Sequence, residues 1–195
     1  DNTAPTAICQ NITINLNAGG TATITAAQID GGSTDNCTVT SLSASLTAFT
    51  CANLGANTVT LTVTDQSGNQ STCNATVTVV DAIAPAISCP ANIIVSNDAG
   101  QCGAVVNYVV PVGTDNCAGS TTTRTAGPAS GSLFPVGTTT VTHIVTDASG
   151  NTAQCSFTVT VNDTEAPTLT CPANITVVAP AAQCGTVVNY PAPTP

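Results

Sequence analysis

The sequence predicts an all-β protein built of tandem β-sandwich repeats stapled by disulfides, and three observations carry this. Segments such as Thr58-Val59-Thr60-Leu61-Thr62-Val63-Thr64 alternate with a period of two, as half-buried strands do, and helical periodicity is absent. The chain repeats itself. Its ten cysteines are even in number, widely spaced and contain no C-x-x-C pair, which favours disulfides over a zinc or thioredoxin-type site and implies an oxidising compartment.

The repeats open at Asp1, Asp81 and Asp163, spaced 80 and then 82 residues, each starting a D-x-x-x-P segment. The same offsets relate Cys9, Cys89 and Cys171, and they relate Thr34-Asp35-Asn36-Cys37 to Thr114-Asp115-Asn116-Cys117. They also relate Thr64-Asp65-Gln66-Ser67-Gly68-Asn69 to Thr146-Asp147-Ala148-Ser149-Gly150-Asn151. Repeat 1 is therefore read as residues 1–80 and repeat 2 as 81–162. Residues 163–195 match only the first third of a unit, through Pro172-Ala173-Asn174-Ile175 and Gln183-Cys184-Gly185. The chain reads as a fragment of a longer array.

Within repeat 1 the strands are expected at 8–15, 21–29, 38–46, 57–64 and 71–80, separated by Gly, Asn and Asp turns such as Ala18-Gly19-Gly20. Turns at this spacing suggest an antiparallel sandwich. In the hairpin at Asp65–Asn69, Gly68 is placed to take a positive φ, and its two strands should lie centrally in one sheet.

Composition limits both core and partners. Hydrophobic residues make up 42% but aromatics only 3%, without Trp or Met, so the core is expected to be Val, Ile, Leu and Ala. A small core of this kind supplies only ~3–5 kcal/mol, hence the need for staples. With one basic residue, Arg124, against ten acidic ones and a net charge of −9, the chain repels phosphate backbones and anionic lipid; nucleic acid is excluded. No apolar run approaches the ~18 residues of a membrane span, so no membrane insertion is expected. Any signal or anchor would lie outside this segment.

The D-x-x-x-P opening, the D-N-C motif, the T-D-x-S-G-N hairpin followed by a Cys, and the Cys-Pro-Ala-Asn-Ile start together resemble the HYR (hyalin repeat) family. The resemblance covers essentially the whole chain. It implies immunoglobulin-like modules that occur in tandem in extracellular proteins and are associated with cell adhesion. The Thr-rich, Lys-poor wording is similar to repeats of secreted bacterial surface adhesins of the Bacteroidetes type.

Cysteine positions suggest the bridges. Cys89 and Cys102 begin neighbouring strands across a turn, as do Cys171 and Cys184, so Cys89–Cys102 and Cys171–Cys184 are expected, leaving Cys117–Cys155. Repeat 1 lacks a counterpart of Cys102 and has Cys51 instead, which gives Cys37–Cys73 and Cys9–Cys51 and two different maps. Free or intermolecular thiols are the alternative.

In an immunoglobulin-like sandwich the start of the chain and two of the inter-strand loops share one pole. That pole would collect Asp1, Asp35 and Asp65 with Asn36 and Asn69 in repeat 1. In repeat 2 it would collect Asp81, Asp115 and Asp147 with Asn116 and Asn151, and Asp163 would open the next set. Converging carboxylates with no Lys to neutralise them suggest Ca²⁺ at each inter-repeat junction. The alternative is that these side chains only cap turns.

His143, the single histidine, aligns with Leu61 and is expected to pack at the sandwich rim. No nucleophile–base constellation or phosphate-cradling loop is present, and no aromatic-lined cleft is foreseen; the expectation is a non-enzyme. Sequons at Asn11, Asn36, Asn69, Asn74, Asn162 and Asn174 would be glycan acceptors only in a eukaryotic secretory pathway. The leading reading is an extracellular or cell-surface stalk or fibre module, whose partners are neighbouring repeats and, through self-association, other fibres. The rivals are a glycan- or protein-binding module, and a non-catalytic appendage of an extracellular enzyme. Residues 163–195 could also exchange strands with another subunit.

Overall fold

The structure is a computed structural model and describes residues 1–193. Repeat 1 forms β1 (Ile12–Asn15), β2 (Thr21–Thr23), β3 (Val39–Ala44), β4 (Ala48–Thr50), β5 (Gly55–Asp65) and β6 (Gln70–Val80). One sheet has the order β1-β6-β5-β3 and faces a two-stranded sheet, β2-β4. Repeat 2 forms β7 (Ile93–Ser96), β8 (Gly103–Val106), β9 (Thr121–Ala126), β10 (Ser132–Pro135), β11 (Gly137–Thr146) and β12 (Thr152–Asn162). Its sheets, β7-β12-β11-β9 and β10-β8, reproduce the same topology.

The β5–β6 and β11–β12 hairpins lie centrally, as their alternation implies. Along β5, Val59, Leu61 and Val63 are buried while the intervening threonines face outward, and Val77 and Val79 of β6 line the same core. The turn is closed by Asp65 N–H donating to the Asn69 carbonyl (3.1 Å), with Gly68 at φ +87°, a left-handed conformation that suits glycine. β1 and β7 run parallel to β6 and β12. The Asn11 and Asn92 side chains extend these two tracks by accepting from the Thr76 and Thr158 amides (2.7 and 2.9 Å).

Several expectations are corrected. Residues 26–28 form a 3-10 turn rather than the end of a strand, and Ala48–Thr50, which has no alternation to announce it, forms β4. The core is not purely aliphatic: Phe49 and Phe134 occupy equivalent central positions on β4 and β10 and are fully enclosed. Repeat 2 adds Tyr108, which meets Phe134 and Phe157 edge-on at ring separations of 6.4 and 5.0 Å. His143 takes the register of Leu61 and is 2% exposed, so it belongs to the core and not to the rim. Burial, and then the Arg124 guanidinium, push its imidazole below the ordinary value, and Nδ1 is left without a partner. Residues 163–193 contribute no strand to these sheets.

The disulfides depart furthest from expectation. Cys9 bonds Cys73 and Cys89 bonds Cys155, while Cys51 bonds Cys117 across the two repeats. None of the bridges Cys9–Cys51, Cys37–Cys73, Cys89–Cys102, Cys117–Cys155 or Cys171–Cys184 forms; Cys37, Cys102, Cys171 and Cys184 are exposed free thiols. The parallel pairing is the reason. With Ile93 opposite Val159, the register carried four residues back sets Cys89 opposite Cys155. The first cysteine of each repeat therefore meets the last strand, not the second, and both repeats share one internal bridge.

Candidate functional site: the acidic pole and the inter-repeat junction

In each repeat the start of the chain and the turn of the long hairpin meet at one end. In repeat 1 the Asn69 side chain donates to the Asp1 and Thr3 carbonyls (3.1 and 3.3 Å), which ties the chain start to the β5–β6 hairpin. Asn151 does the same for the Asp81 and Ile83 carbonyls, at the same two distances.

The aspartates at each pole have two different roles. Asp65 and Asp147 organise their own hairpins: one oxygen of each accepts two backbone amides, from Ser67 and Asn69 or from Ser149 and Asn151. The other accepts the side-chain amide of Asn69 or Asn151 at 2.8 Å. For these two residues the turn-capping alternative describes what is seen.

Burial pushes both carboxyls up, but the side-chain amide and three backbone amides of the turn together outweigh it and leave each below its ordinary value. A carboxyl depressed in the fold stabilises it above the unfolded value near ~3.9, and this is lost as pH falls through the lower folded value. Thermal melts are accordingly expected to be flat with respect to these groups above about pH 4 and to fall steeply below it. Asp147→Asn should lower the melting temperature at neutral pH and flatten the acid limb; an unchanged acid limb in the double variant Asp65→Asn/Asp147→Asn would refute this assignment.

A second set of groups does converge. Oxygens of Asp81 and Asp115 and the sulfur of Cys117 lie within 4.8 Å of one another, as do those of Asp1, Asp35 and Cys37. Asp115 accepts the Cys117 amide (3.0 Å) and Asp35 the Cys37 amide (2.9 Å). The Asn116 amide, turned toward Asp115, donates to both its oxygens (3.0 and 3.1 Å). Asn36 is exposed and lies against Cys37. Asp163 is exposed and caps its own turn by accepting the Glu165 amide (3.1 Å).

Two oxygens in these clusters, Asp81 Oδ2 and Asp35 Oδ1, are buried without a hydrogen-bond partner. The chemistry of the donor set fits Ca²⁺ in part. An orphaned hard oxygen beside a second carboxylate suits it, but Ca²⁺ takes 6–8 oxygens, and each cluster brings together two carboxylates rather than the three expected.

The two poles differ in what covers them. That of repeat 1 is open, with Asp1 and Cys37 exposed, whereas repeat 1 itself closes that of repeat 2, where Asp81 and Cys117 are buried. The closure is tight: a Cβ on Gly20 would stand 2.8 Å from Cys51 Sγ and 2.9 Å from the Asn116 carbonyl oxygen, and Gly20 has φ +69°. Sequence reasoning missed Cys51–Cys117 because it sought every partner within one repeat.

Residues 80–161 match the family model described as the HYR domain. Residues 80–161 are a HYR domain. Among curated relatives, hyalin of Strongylocentrotus purpuratus is 39% identical over 147 residues, covering 72% of this chain and 12% of hyalin. The serine-rich adhesin for platelets of Staphylococcus aureus strain MSSA476 is 31% identical over 175 residues, covering 79% of this chain and 7% of the adhesin. The chain thus spans about an eighth or less of the length of these relatives. Among solved structures, human protocadherin-24 EC1-2 aligns at 16% identity and TM-score 0.40, covering 84% of this chain and 100% of that one. The disulfide-bonded sandwiches belong to an oxidising, extracellular or cell-surface setting.

Proposed function

We propose that this HYR chain is a non-catalytic spacer of an extracellular adhesive protein, in which successive sandwiches are locked end to end so that the whole projects a binding tip or presents its own length for weak lateral contact. The observation that carries the reading is the junction. A covalent bridge, Cys51–Cys117, crosses it, and the glycine at its rim leaves no room for a side chain. Linked domains move relative to one another by default, and a bridge at the joint removes most of that freedom. Hyalin and the platelet adhesin are the relatives that make adhesion the natural setting. The scarcity of Trp, Tyr and Arg supports a mechanical role over a dedicated ligand-binding one, because those residues supply most binding hot spots.

Ca²⁺ at the junction is part of the same proposal. It would sit against Asp81 and Asp115, stabilising the folded joint by mass action. Small-angle scattering tests both parts. The oxidised chain is expected to give one narrow distribution of interatomic distances, and Cys51→Ser/Cys117→Ser a broader one with a smaller mean. A variant as narrow as the parent would sink the covalent-lock reading. In that variant, added Ca²⁺ should narrow the distribution again relative to chelator, and no difference between the two would remove the metal from the proposal.

A further inference from the structure

Cys37 and Cys102 are unpaired and exposed, yet Cys37 occupies the place that is bonded in repeat 2, and Cys102 stands across the ladder from the place that is bonded in repeat 1. Cys37 is the repeat 1 counterpart of Cys117, being the cysteine of the Thr-Asp-Asn-Cys segment at an acidic pole. Its amide is held by Asp35 as that of Cys117 is held by Asp115, and its sulfur lies 3.2 Å from Asp1 Oδ2.

Cys102 corresponds to the other end of the bridge. In repeat 1, Thr21 of β2 faces Thr50 of β4, so the next pair outward is Gly20 and Cys51. In repeat 2, Gly103 of β8 faces Pro135 of β10, so the next pair outward is Cys102 and Val136, with the Val136 amide donating to the Cys102 carbonyl (3.2 Å). The cysteine has changed sides of the ladder but not its level. It stands at the rim where the next repeat begins: Cys102 lines a cleft with Asn97, Asp163 and Glu165, and Glu165 accepts the Gly100 amide.

We infer that Cys102 and Cys37 are the two halves of a further inter-repeat disulfide of the Cys51–Cys117 kind. Cys102 takes the Asp-Asn-Cys cysteine of a HYR repeat placed after residue 162, and Cys37 takes the rim cysteine of a repeat placed before Asp1. The partner is defined by its chemistry: a sandwich of the same build whose thiol meets the rim at its own acidic pole. Bond formation proceeds by exchange with a low-molecular-weight disulfide. The thiolate of one cysteine attacks the small disulfide, forming a mixed disulfide and releasing one small thiol. The thiolate of the other then attacks the protein sulfur and expels the second. The two protons lost by the cysteines leave on the two small thiols, and the small disulfide is the species reduced. Repeats would thus be bonded in series, each rim to the next pole, alongside one internal bridge per repeat.

The inference deepens the spacer reading but is read out as a covalent bond, so it can stand or fall independently of stiffness. The experiment joins residues 1–162 directly to a full copy of the chain, so that Asp1 of the second copy takes the place of Asp163. Both the tandem and the single 195-residue chain are refolded in a glutathione redox buffer, alkylated and digested without reduction. In the single chain Cys37 and Cys102 should be alkylated while Cys51–Cys117 is intact. In the tandem, Cys102 of the first copy should appear in one cross-linked peptide with Cys37 of the second. Full alkylation of that pair in a tandem that has formed Cys51–Cys117 in both copies would overturn the inference. So would recovery of Cys102 bonded to Cys89, or of Cys37 bonded to Cys73, in the single 195-residue chain.

Discussion

Replacing Cys89 and Cys155 together by serine is expected to destabilise repeat 2 by about 4 kcal/mol, the chain-entropy value for closing a loop of this length. The bridge spans 66 residues and joins the segment before β7 to the middle of β12, so without it nearly the whole repeat is released in the unfolded state. A domain of this size has a net stability of roughly 5–15 kcal/mol, and repeat 2 must draw its own from a small core. A loss of about 4 kcal/mol should lower its melting temperature by roughly 15–30 °C. Repeat 1 keeps Cys9–Cys73, so calorimetry should show two transitions where the parent shows closely spaced or merged ones. A variant that melts within a few degrees of the parent would mean that packing alone holds the repeat.

Phe134→Ala should cost about 3–5 kcal/mol, the range for truncating a fully buried aromatic. Phe134 is 0% exposed and is the only large apolar side chain that β10 turns inward. It also gives Tyr108 an edge-on neighbour. Phe49→Ala is expected to do the same to repeat 1, since Phe49 has the equivalent place on β4. Leu133→Ala is the internal control. Leu133 precedes Phe134, points to the opposite face and is 52% exposed, so its loss should stay within about 0.5 kcal/mol. Equal effects of Phe134→Ala and Leu133→Ala in denaturant titrations would contradict the layer assignment of β10.

The two predictions probe features of unequal legibility. The long hairpins are written locally: Thr/Val alternation fixes the buried face of β5, β6, β11 and β12, and Asp-x-x-Gly-Asn closes the turn. The acidic poles were also within reach, because the family resemblance fixes which loops share an end. The same pattern could not say which carboxylates are consumed by turns. Asp65 and Asp147 sit two and four residues from the amides they hold, so capping competes with any ligand role at the level of backbone geometry. β4 and β10 were harder to read, since three or four residues carry too little alternation to identify a strand. The burial of His143 is not legible locally, because a lone polar residue in a strand register says nothing of what closes over it.

By itself the sequence determined the repeat period, the strand alternation, the hairpin chemistry, the oxidising setting and the family, all properties of short segments or of their recurrence. Only the tertiary structure decided which cysteines meet. Cys9–Cys73 and Cys89–Cys155 depend on a parallel pairing between the first and last strands of a repeat, and Cys51–Cys117 on the way one repeat seats on the next. Disulfide partners are chosen by separation in space, here Cα distances of 5.6–5.8 Å bridging 64–66 residues of chain, and no local pattern encodes a contact at that range.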